Sequence, residues 1–329
     1  MRRWPRLLIC AVSIYLVLAI AVALFLAFVT LHPNRRPVLA EEKTEVRNAA
    51  ANLDAKLAEV EIEAQDHTSL RAWLIQPQRG NGNAVVLLHG LADNRLGMTG
   101  YAQLLLAHGY AVLMPDSRAH GESGGDLANY GIIERDDIRR WFEWLNQATH
   151  PSCIYGLGES MGAAQLLQSL AIEPHFCAVV AESSFATFRE IAYDRMGQRF
   201  GTGPWLGRTV LRPVVEIALL IARVRYRVDL TQASPEDAVA HTHVPVLLIH
   251  GVVDSNIPLR HSLRLVAHNS QLNLWQVPGA DHCGAMSVAP QEFEQKVVGW
   301  FDAHKVPSQA GAPASSGEVI RLNLGQAVV

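Results

Sequence analysis

Three hydrophobic patterns succeed one another along the chain. Positions 7–31 form an uncharged, almost wholly apolar run of about 25 residues, which as a helix would extend about 38 Å, more than the roughly 30 Å core of a bilayer. Further on, Val60, Ile62 and Ala64 alternate with Glu61 and Glu63, and after the turn-forming Asp66, His67, Thr68 and Ser69 a second run covers 70–75. Period two before a turn, with a second run after it, predicts a hairpin at a half-exposed sheet edge. Beyond it, short apolar runs recur at 84–88, 110–114, 153–157, 178–181, 244–249 and 272–277. They are too short for helices and read as strands buried on both faces. Helical spacing lies between them: Ile138, Trp141, Phe142 and Leu145 stand at i, i+3, i+4 and i+7, and Phe293, Val297 and Trp300 repeat the device.

Strand–helix alternation on this scale predicts an α/β domain with a mostly parallel, doubly wound sheet covered on both faces. Chemistry is then expected at the C-terminal ends of the strands. The expected organisation is an N-terminus and membrane helix over 1–31, a stalk over 32–58, the α/β domain over 59–304 and a flexible tail over 305–329. The stalk is charged and alanine-rich with Pro33 and Pro37, which suggests either a spacer or a short surface helix. The tail holds a Pro, Ser, Ala and Gly tract at 307–317, followed by a short candidate strand at 319–324. One segment breaks the alternation. Residues 185–243 contain no convincing central strand and read as an inserted helical lid, whose apolar run 214–224 includes Glu216 and Arg223. That run is too short and too charged for a second span. It either lines an acyl pocket or packs on the core.

With 329 residues, 49% of them hydrophobic, the chain has ample core for one large domain with appendages. A formal net charge of -3 leaves no basic surplus for nucleic acid. An uncharged metabolite or a lipid fits better. Cys10, Cys153, Cys177 and Cys283 form no Cys-x-x-Cys pair, so no disulfide framework or zinc site is expected and the cysteines read mostly as small buried residues. His241 and His243 have no third ligand at metal spacing. The 7–31 run exceeds the apolar core of about 7 to 15 residues usual in cleavable signals, so an uncleaved anchor is preferred to cleavage after Val38-Leu39-Ala40. Arg2, Arg3 and Arg6 precede the run, while Arg35 and Arg36 after it are offset by Glu41 and Glu42. This bias favours a cytoplasmic N-terminus. The expectation is a single-pass membrane protein with its catalytic domain on the periplasmic or extracellular side.

The candidate chemistry begins at Gly158-Glu159-Ser160-Met161-Gly162. Gly-x-Ser-x-Gly alone arises by chance in roughly one chain in ten of this length, so its context carries the argument. A buried strand ends just before it and a helical pattern starts at Met161, which puts Ser160 on a tight strand-to-helix turn. A serine hydroxyl is a poor nucleophile unless a base activates it. His282, in Gly279-Ala280-Asp281-His282-Cys283-Gly284, follows the last strand and can serve. Asp254 follows the preceding strand and is the favoured partner to orient the imidazole, with Glu182 and Asp281 as rivals. Leu88-His89-Gly90-Leu91 closes the first central strand, where the Leu91 amide can join that of Met161 in an oxyanion hole. His89 reads as an oriented structural histidine, and the segment 115–124 as a loop-holding element.

In this order, His89-Gly90, Pro115-Asp116 through Gly124, the 158–162 elbow, Asp254 and His282 make the chain resemble the α/β-hydrolase superfamily. The resemblance runs over about 60–304, to the branch of serine aminopeptidase-like, Bem46-like and cinnamoyl-esterase-like hydrolases. It implies Ser160 as nucleophile, Asp254 as orienting acid, His282 as base, and Leu91 and Met161 as amide donors. The leading expectation is a serine hydrolase cleaving carboxylic esters of small acyl or lipid-like molecules through an acyl-enzyme, with no metal or organic cofactor. A thioesterase or serine aminopeptidase would use the same machinery. A catalytically silent, membrane-tethered binding module is the alternative from another class, and would have no use for a complete triad.

Overall fold

The structure, a computed structural model, describes residues 3–305. The 319–324 strand and all but the first residue of the expected tail lie outside them. The apolar run folds as one helix, α1 (Arg3–Leu31), whose residues Trp4–Leu31 are long and apolar enough to cross a membrane. After it, the segment expected to act as a stalk lies along the domain. Arg35 donates to the Ser123 and Gly125 carbonyls at 2.9 and 2.6 Å, Arg36 pairs with Asp93 at 2.8 Å, and the Asn94 amide donates to the Arg36 carbonyl at 3.1 Å. Helix α2 (Ala40–Asn52) starts where Glu42 accepts the Leu39 N–H at 2.9 Å, and sets Val46 and Ala50 against the apolar interior. Composition marks this stretch as solvated, but the loop carbonyls that hold Arg35 and the carboxylate that holds Arg36 come from distant sequence.

Strand β1 (Ala55–Glu63) pairs antiparallel with β2 (Ser69–Pro77), Ala55 opposite Pro77 and Glu63 opposite Ser69. The central strands are β3 (Asn83–Leu88), β4 (Ala111–Pro115), β5 (Cys153–Glu159), β6 (Val179–Glu182), β7 (Val246–Gly251) and β8 (Asn273–Val277). All are mutually parallel, and the sheet order is β1-β2-β4-β3-β5-β6-β7-β8, with β2 antiparallel to β4. Alternate residues of β3 enter opposite layers. Val85 and Leu87 meet α3 (Thr99–Ala107), α11 (Ala285–Val288) and α12 (Pro290–Ala303). Ala84, Val86 and Leu88 meet α4 (Glu134–Thr149), α5 (Met161–Ser169) and α10 (Arg260–His268). Burial of both faces explains why these strands read as unbroken apolar runs. β8 departs from that reading: it is the edge strand, and only Val277 is fully buried. On α12, Phe301 and not Trp300 completes the buried face, stacking on Tyr155 with ring centroids 4.5 Å apart.

Between β6 and β7 the chain forms a lid from α6 (Phe188–Gln198), α7 (Pro204–Arg208), α8 (Arg212–Arg225) and the short α9 (Pro235–Val239). Its base is fastened to α10 through His261. Nδ1 accepts the Ala186 N–H at 3.1 Å while Nε2–H donates to Asp194 at 2.7 Å. The α8 run has two faces. Val215 and Leu219 turn inward under the lid, whereas Val214, Ile217, Ala218 and Ile221 pack on α1. On α1, Ala19, Ala23, Ala27 and Leu31, four residues apart, are all buried. Such spacing puts small residues on one helix face and lets a second helix approach closely. Tyr15 Oη donates to the Val210 carbonyl at 2.6 Å and Tyr130 Oη to the Thr30 carbonyl at 2.8 Å. Packing on the main core was one of two sequence expectations for this run; α1 takes that place.

The cysteines also depart from expectation. Cys153 opens β5, Cys177 lies just before β6, and the two are joined as a disulfide with their Cα atoms 5.8 Å apart. Residues 24 apart in sequence meet because β5 and β6 are neighbours in the sheet once α5 has returned the chain. Spacing along the sequence carries no trace of this. Cys10 and Cys283 are free. Cross-linking a loop of this length restricts the unfolded chain, so Cys177→Ser is expected to cost about 2–4 kcal/mol of stability. A lower urea midpoint with a steeper slope, since the released unfolded chain exposes more surface, is the expected result in detergent.

Candidate active site

Three parallel strands deliver polar residues to one end of the sheet. β5 passes directly into α5 through Ser160, whose φ of 51° and ψ of -113° lie outside the usual regions for a residue with a side chain. Such a conformation costs about 1–3 kcal/mol and persists only where neighbours hold it. Here the Ser160 N–H donates to the Glu182 carbonyl at 2.8 Å and the Ala164 N–H to the Ser160 carbonyl at 3.1 Å. The turn closes only because two neighbours lack side chains. A Cβ on Gly158 would stand 2.7 Å from the Gly162 carbonyl carbon, and one on Gly162 would stand 2.7 Å from the His89 carbonyl oxygen.

His282 and Asp254 arrive on the loops after β8 and β7. His282 Nε2 lies 2.9 Å from Ser160 Oγ, and its Nδ1 lies 2.9 and 3.1 Å from the two Asp254 oxygens. The same carboxylate accepts the Asn256 and Ile257 N–H groups at 2.9 and 2.8 Å. Burial acts to raise the Asp254 pKa, but the hydrogen bond and charge of His282, with the Ile257 amide and Ser183, outweigh it and hold the carboxyl below its ordinary value. It is therefore an anion poised against the imidazole. Buried His250 sits 3.5 Å from Asp254, its nitrogens engaged by Ser262 Oγ and the Ile257 carbonyl, and burial pushes its pKa down.

The rival acids are occupied elsewhere. Asp281 accepts the Ser255 and His282 N–H groups at 2.7 and 2.8 Å and so shapes the histidine loop. Glu182 accepts the Ala285 N–H and Tyr101 Oη–H, each at 3.0 Å. His89 is buried, with Nδ1–H donating to the Gly90 carbonyl at 2.8 Å and Nε2 accepting the Ser117 N–H at 3.0 Å. These bonds consume both nitrogens and tie the 89–90 turn to the 115–124 loop. In that loop, buried Asp116 accepts the Arg95 and Glu122 N–H groups at 2.8 and 2.7 Å. Leu91 and Met161 line a common cavity with Ser160. A Cβ on Gly90 would come within 3.6 Å of the Ser160 Cβ, so the 89–91 turn stands directly over the serine.

Comparison with known proteins gives the same architecture. A family model for the alpha/beta hydrolase fold matches residues 83–215. The Mycobacterium tuberculosis protein Rv2307c is 30% identical over 228 residues, which cover 68% of this chain and 72% of that protein. The chain belongs to the α/β-hydrolase superfamily. YqkD of Bacillus subtilis is 31% identical over 186 residues, 56% of this chain and 59% of YqkD, so the match spans less than two thirds of that relative. Among solved structures, the Pyrococcus furiosus esterase Pf2001 shares the fold with a TM-score of 0.67 and 23% identity over 84% of this chain and 99% of its own. The Pyrococcus horikoshii acylaminoacyl peptidase shares it with a TM-score of 0.58 and 17% identity over 79% and 43%. At these identities the likeness speaks for the fold.

This α/β hydrolase also carries features that sequence reading passed over. Glu159, inside the elbow, and Glu182 converge on Tyr101 Oη at 3.2 and 3.0 Å. Burial, then the neighbouring Glu182 charge, pushes the Glu159 pKa up to about 7. The one sequence signal was a carboxylate inside the elbow motif, but its burial depends on α3, which brings Tyr101. The second feature is a cavity of about 590 Å³ beside Ser160, walled by the lid and by the last turns of α1. The four-residue spacing of Ala19, Ala23 and Ala27 was the available sign that α1 docks on the domain.

The raised Glu159 pKa fixes the sign of a pH dependence. Between about pH 4.5, its ordinary value, and about 7 the folded chain holds a proton that the unfolded chain has released, so stability falls as pH rises through that window. Glu159→Gln keeps an acceptor for the Gly90 N–H and removes the charge. Unfolding midpoints measured from pH 4.5 to 8 should decline less steeply in the variant; an equally steep decline would assign the effect to another group.

Proposed function

We propose that this protein is a membrane-anchored serine hydrolase that cleaves carboxylic esters. The observation that carries the reading is the unbroken chain from Ser160 Oγ through His282 to the Asp254 carboxylate, each link at 2.9 Å. In this mechanism His282 takes the Ser160 proton as Oγ attacks the ester carbonyl carbon, and the Leu91 and Met161 amides receive the developing oxyanion. Collapse breaks the bond to the alcohol oxygen, which leaves with the proton held on His282. Water, deprotonated by the same imidazole, then releases the acid and restores Ser160. The depressed pKa of Asp254 favours the charge needed to stabilise the transient imidazolium.

Two observations bear on alternatives. The cavity is predominantly apolar, and its charged lining residues are Arg195 and Arg199, with no carboxylate to receive a peptide's ammonium group. That favours an ester over an aminopeptidase substrate. The disulfide supports an oxidising surrounding, hence a catalytic domain on the periplasmic or extracellular side. Docking of α1 against the lid supports retention of that helix as an anchor rather than its removal as a signal.

A fluorophosphonate probe is expected to label the wild-type chain and not Ser160→Ala, while Asp254→Asn should lower p-nitrophenyl ester turnover by about 10⁴-fold with the fold intact. Equal labelling of wild type and Ser160→Ala would sink the nucleophile assignment. A mild loss at Asp254 with a severe one at Glu182→Gln would move the orienting role to the buried glutamate.

A further inference from the structure

The cavity beside Ser160 is not closed by the catalytic domain alone. Leu26, Ala27, Val29 and Thr30, from the last turns of α1, form part of its wall, facing α8 residues such as Val215, Ala218 and Leu219. These α1 residues lie within about 8 Å of the end of the helix. That end would sit at the level where a bilayer changes from hydrocarbon to headgroups. The contact is fixed rather than incidental, because the Ala128 N–H donates to the Leu31 carbonyl at 2.9 Å and Tyr130 Oη to that of Thr30 at 2.8 Å. On the other side of α1, Leu18, Leu24, Phe25 and Phe28 are exposed. The lid also exposes Phe200, Trp205, Val210, Leu220 and Val224. Exposed apolar side chains in such number on α1 and on the lid that packs against it fit contact with a bilayer.

The cavity is amphipathic. Its apolar walls come from α1, α6 and α8, while Arg195, Gln198, Arg199, Ser255 and Asn256 supply a polar part. Arg195 and Arg199 have no acidic ion-pair partner among the described residues. Its volume of about 590 Å³ suits one acyl chain with its ester.

The geometry points to a single-chain lipid ester as the substrate, drawn sideways from the bilayer, with the membrane helix α1 serving as one wall of its acyl site. The inference rests on the hydrolase reading above and narrows its substrate class. The acyl chain lies between α1 and α8, its ester carbonyl reaches Ser160, and the polar head stays at the Arg195 and Arg199 side. Hydrolysis follows the steps already given: the bond from the acyl carbon to the head-group oxygen breaks, that oxygen takes the proton from His282, and water releases the fatty acid.

The test uses the full-length protein in phosphatidylcholine proteoliposomes, with palmitoyl lysophosphatidylcholine and palmitoyl monoacylglycerol as lipids and p-nitrophenyl acetate as the short ester. Val29→Trp and Leu219→Trp narrow the cavity from opposite walls, and Leu18→Trp places the same ring on the exposed side of α1. Crowding an apolar site by a few methylene equivalents is expected to lower the palmitoyl-to-acetyl ratio of kcat/KM about tenfold or more in the first two variants, with the Leu18 variant at the wild-type ratio. Fluorophosphonate labelling of each variant reports whether the site itself is intact. A wild-type ratio in either labelled cavity variant overturns the acyl site between α1 and α8, and turnover of the surrounding diacyl lipid at the monoacyl rate overturns the single-chain class. In both cases persistent labelling and acetyl ester turnover would leave the hydrolase reading standing, whereas wild type that neither labels nor turns over any ester would remove both.

Discussion

The closeness of α5 to β3 and β5 is the constraint on which the rest of this structure turns. Ser160 can stand at positive φ only if the chain reverses within a space that has no room for a side chain at Gly158 or Gly162. The turn is then held from outside itself, by the carbonyl of Glu182 at the end of β6. Because β5 has β6 on one side and β3 on the other, the same register that builds the sheet also seats the strained serine and sets the 89–91 turn above it. A cost of about 1–3 kcal/mol at one residue is small against the apolar burial of both sheet faces, and it aims the hydroxyl at His282.

Around that turn, burial acts in opposite directions on neighbouring acids. Asp254 is buried yet stays below its ordinary pKa, because two backbone amides and the His282 imidazole meet its oxygens. Glu159 and Glu182 are buried together with one shared phenol between them, and burial raises both. The difference lies in how far the partners offset burial. At Asp254 the His282 imidazole and the amides outweigh it, whereas at Glu159 and Glu182 one backbone amide each and the shared Tyr101 hydroxyl do not. The result separates an ionised acid behind the histidine from a protonatable pair beneath the elbow.

The lid and α1 form a second unit of organisation. α8 is apolar on two sides, one turned to the cavity and one to α1, so it has no solvent-facing role that a polar helix could fill equally well. A stripe of alanines on α1 permits the approach, and the hydrogen bonds from Tyr15 and Tyr130 fix the rotation of the helix against the domain. Helix α1 is thereby part of the cavity wall rather than a remote appendage.

Much of the architecture was legible in the sequence because it depends on local pattern. Unbroken apolar runs and helical spacing gave the parallel strands and the helices between them, and the elbow with Asp254 and His282 in loop positions gave the residues that the fold brings together. Where this failed, the deciding partner was distant in sequence. Cys153 and Cys177 meet because their strands are neighbours. For 32–58, read as a stalk or a short surface helix, helix α2 is what forms, and its seat on the domain depends on loop carbonyls at Ser123 and Gly125 that receive Arg35. Trp300 yields the buried face to Phe301 because the ring of Tyr155 stands opposite it. By itself the sequence determined which segments are strands, helices and turns, and which side chains have the chemistry to act, since those follow from periodicity and functional groups. Only the tertiary structure decided which carboxylate faces the histidine, which acids share a proton donor and that α1 walls the cavity, because each of these is a distance between segments that no spacing along the chain encodes.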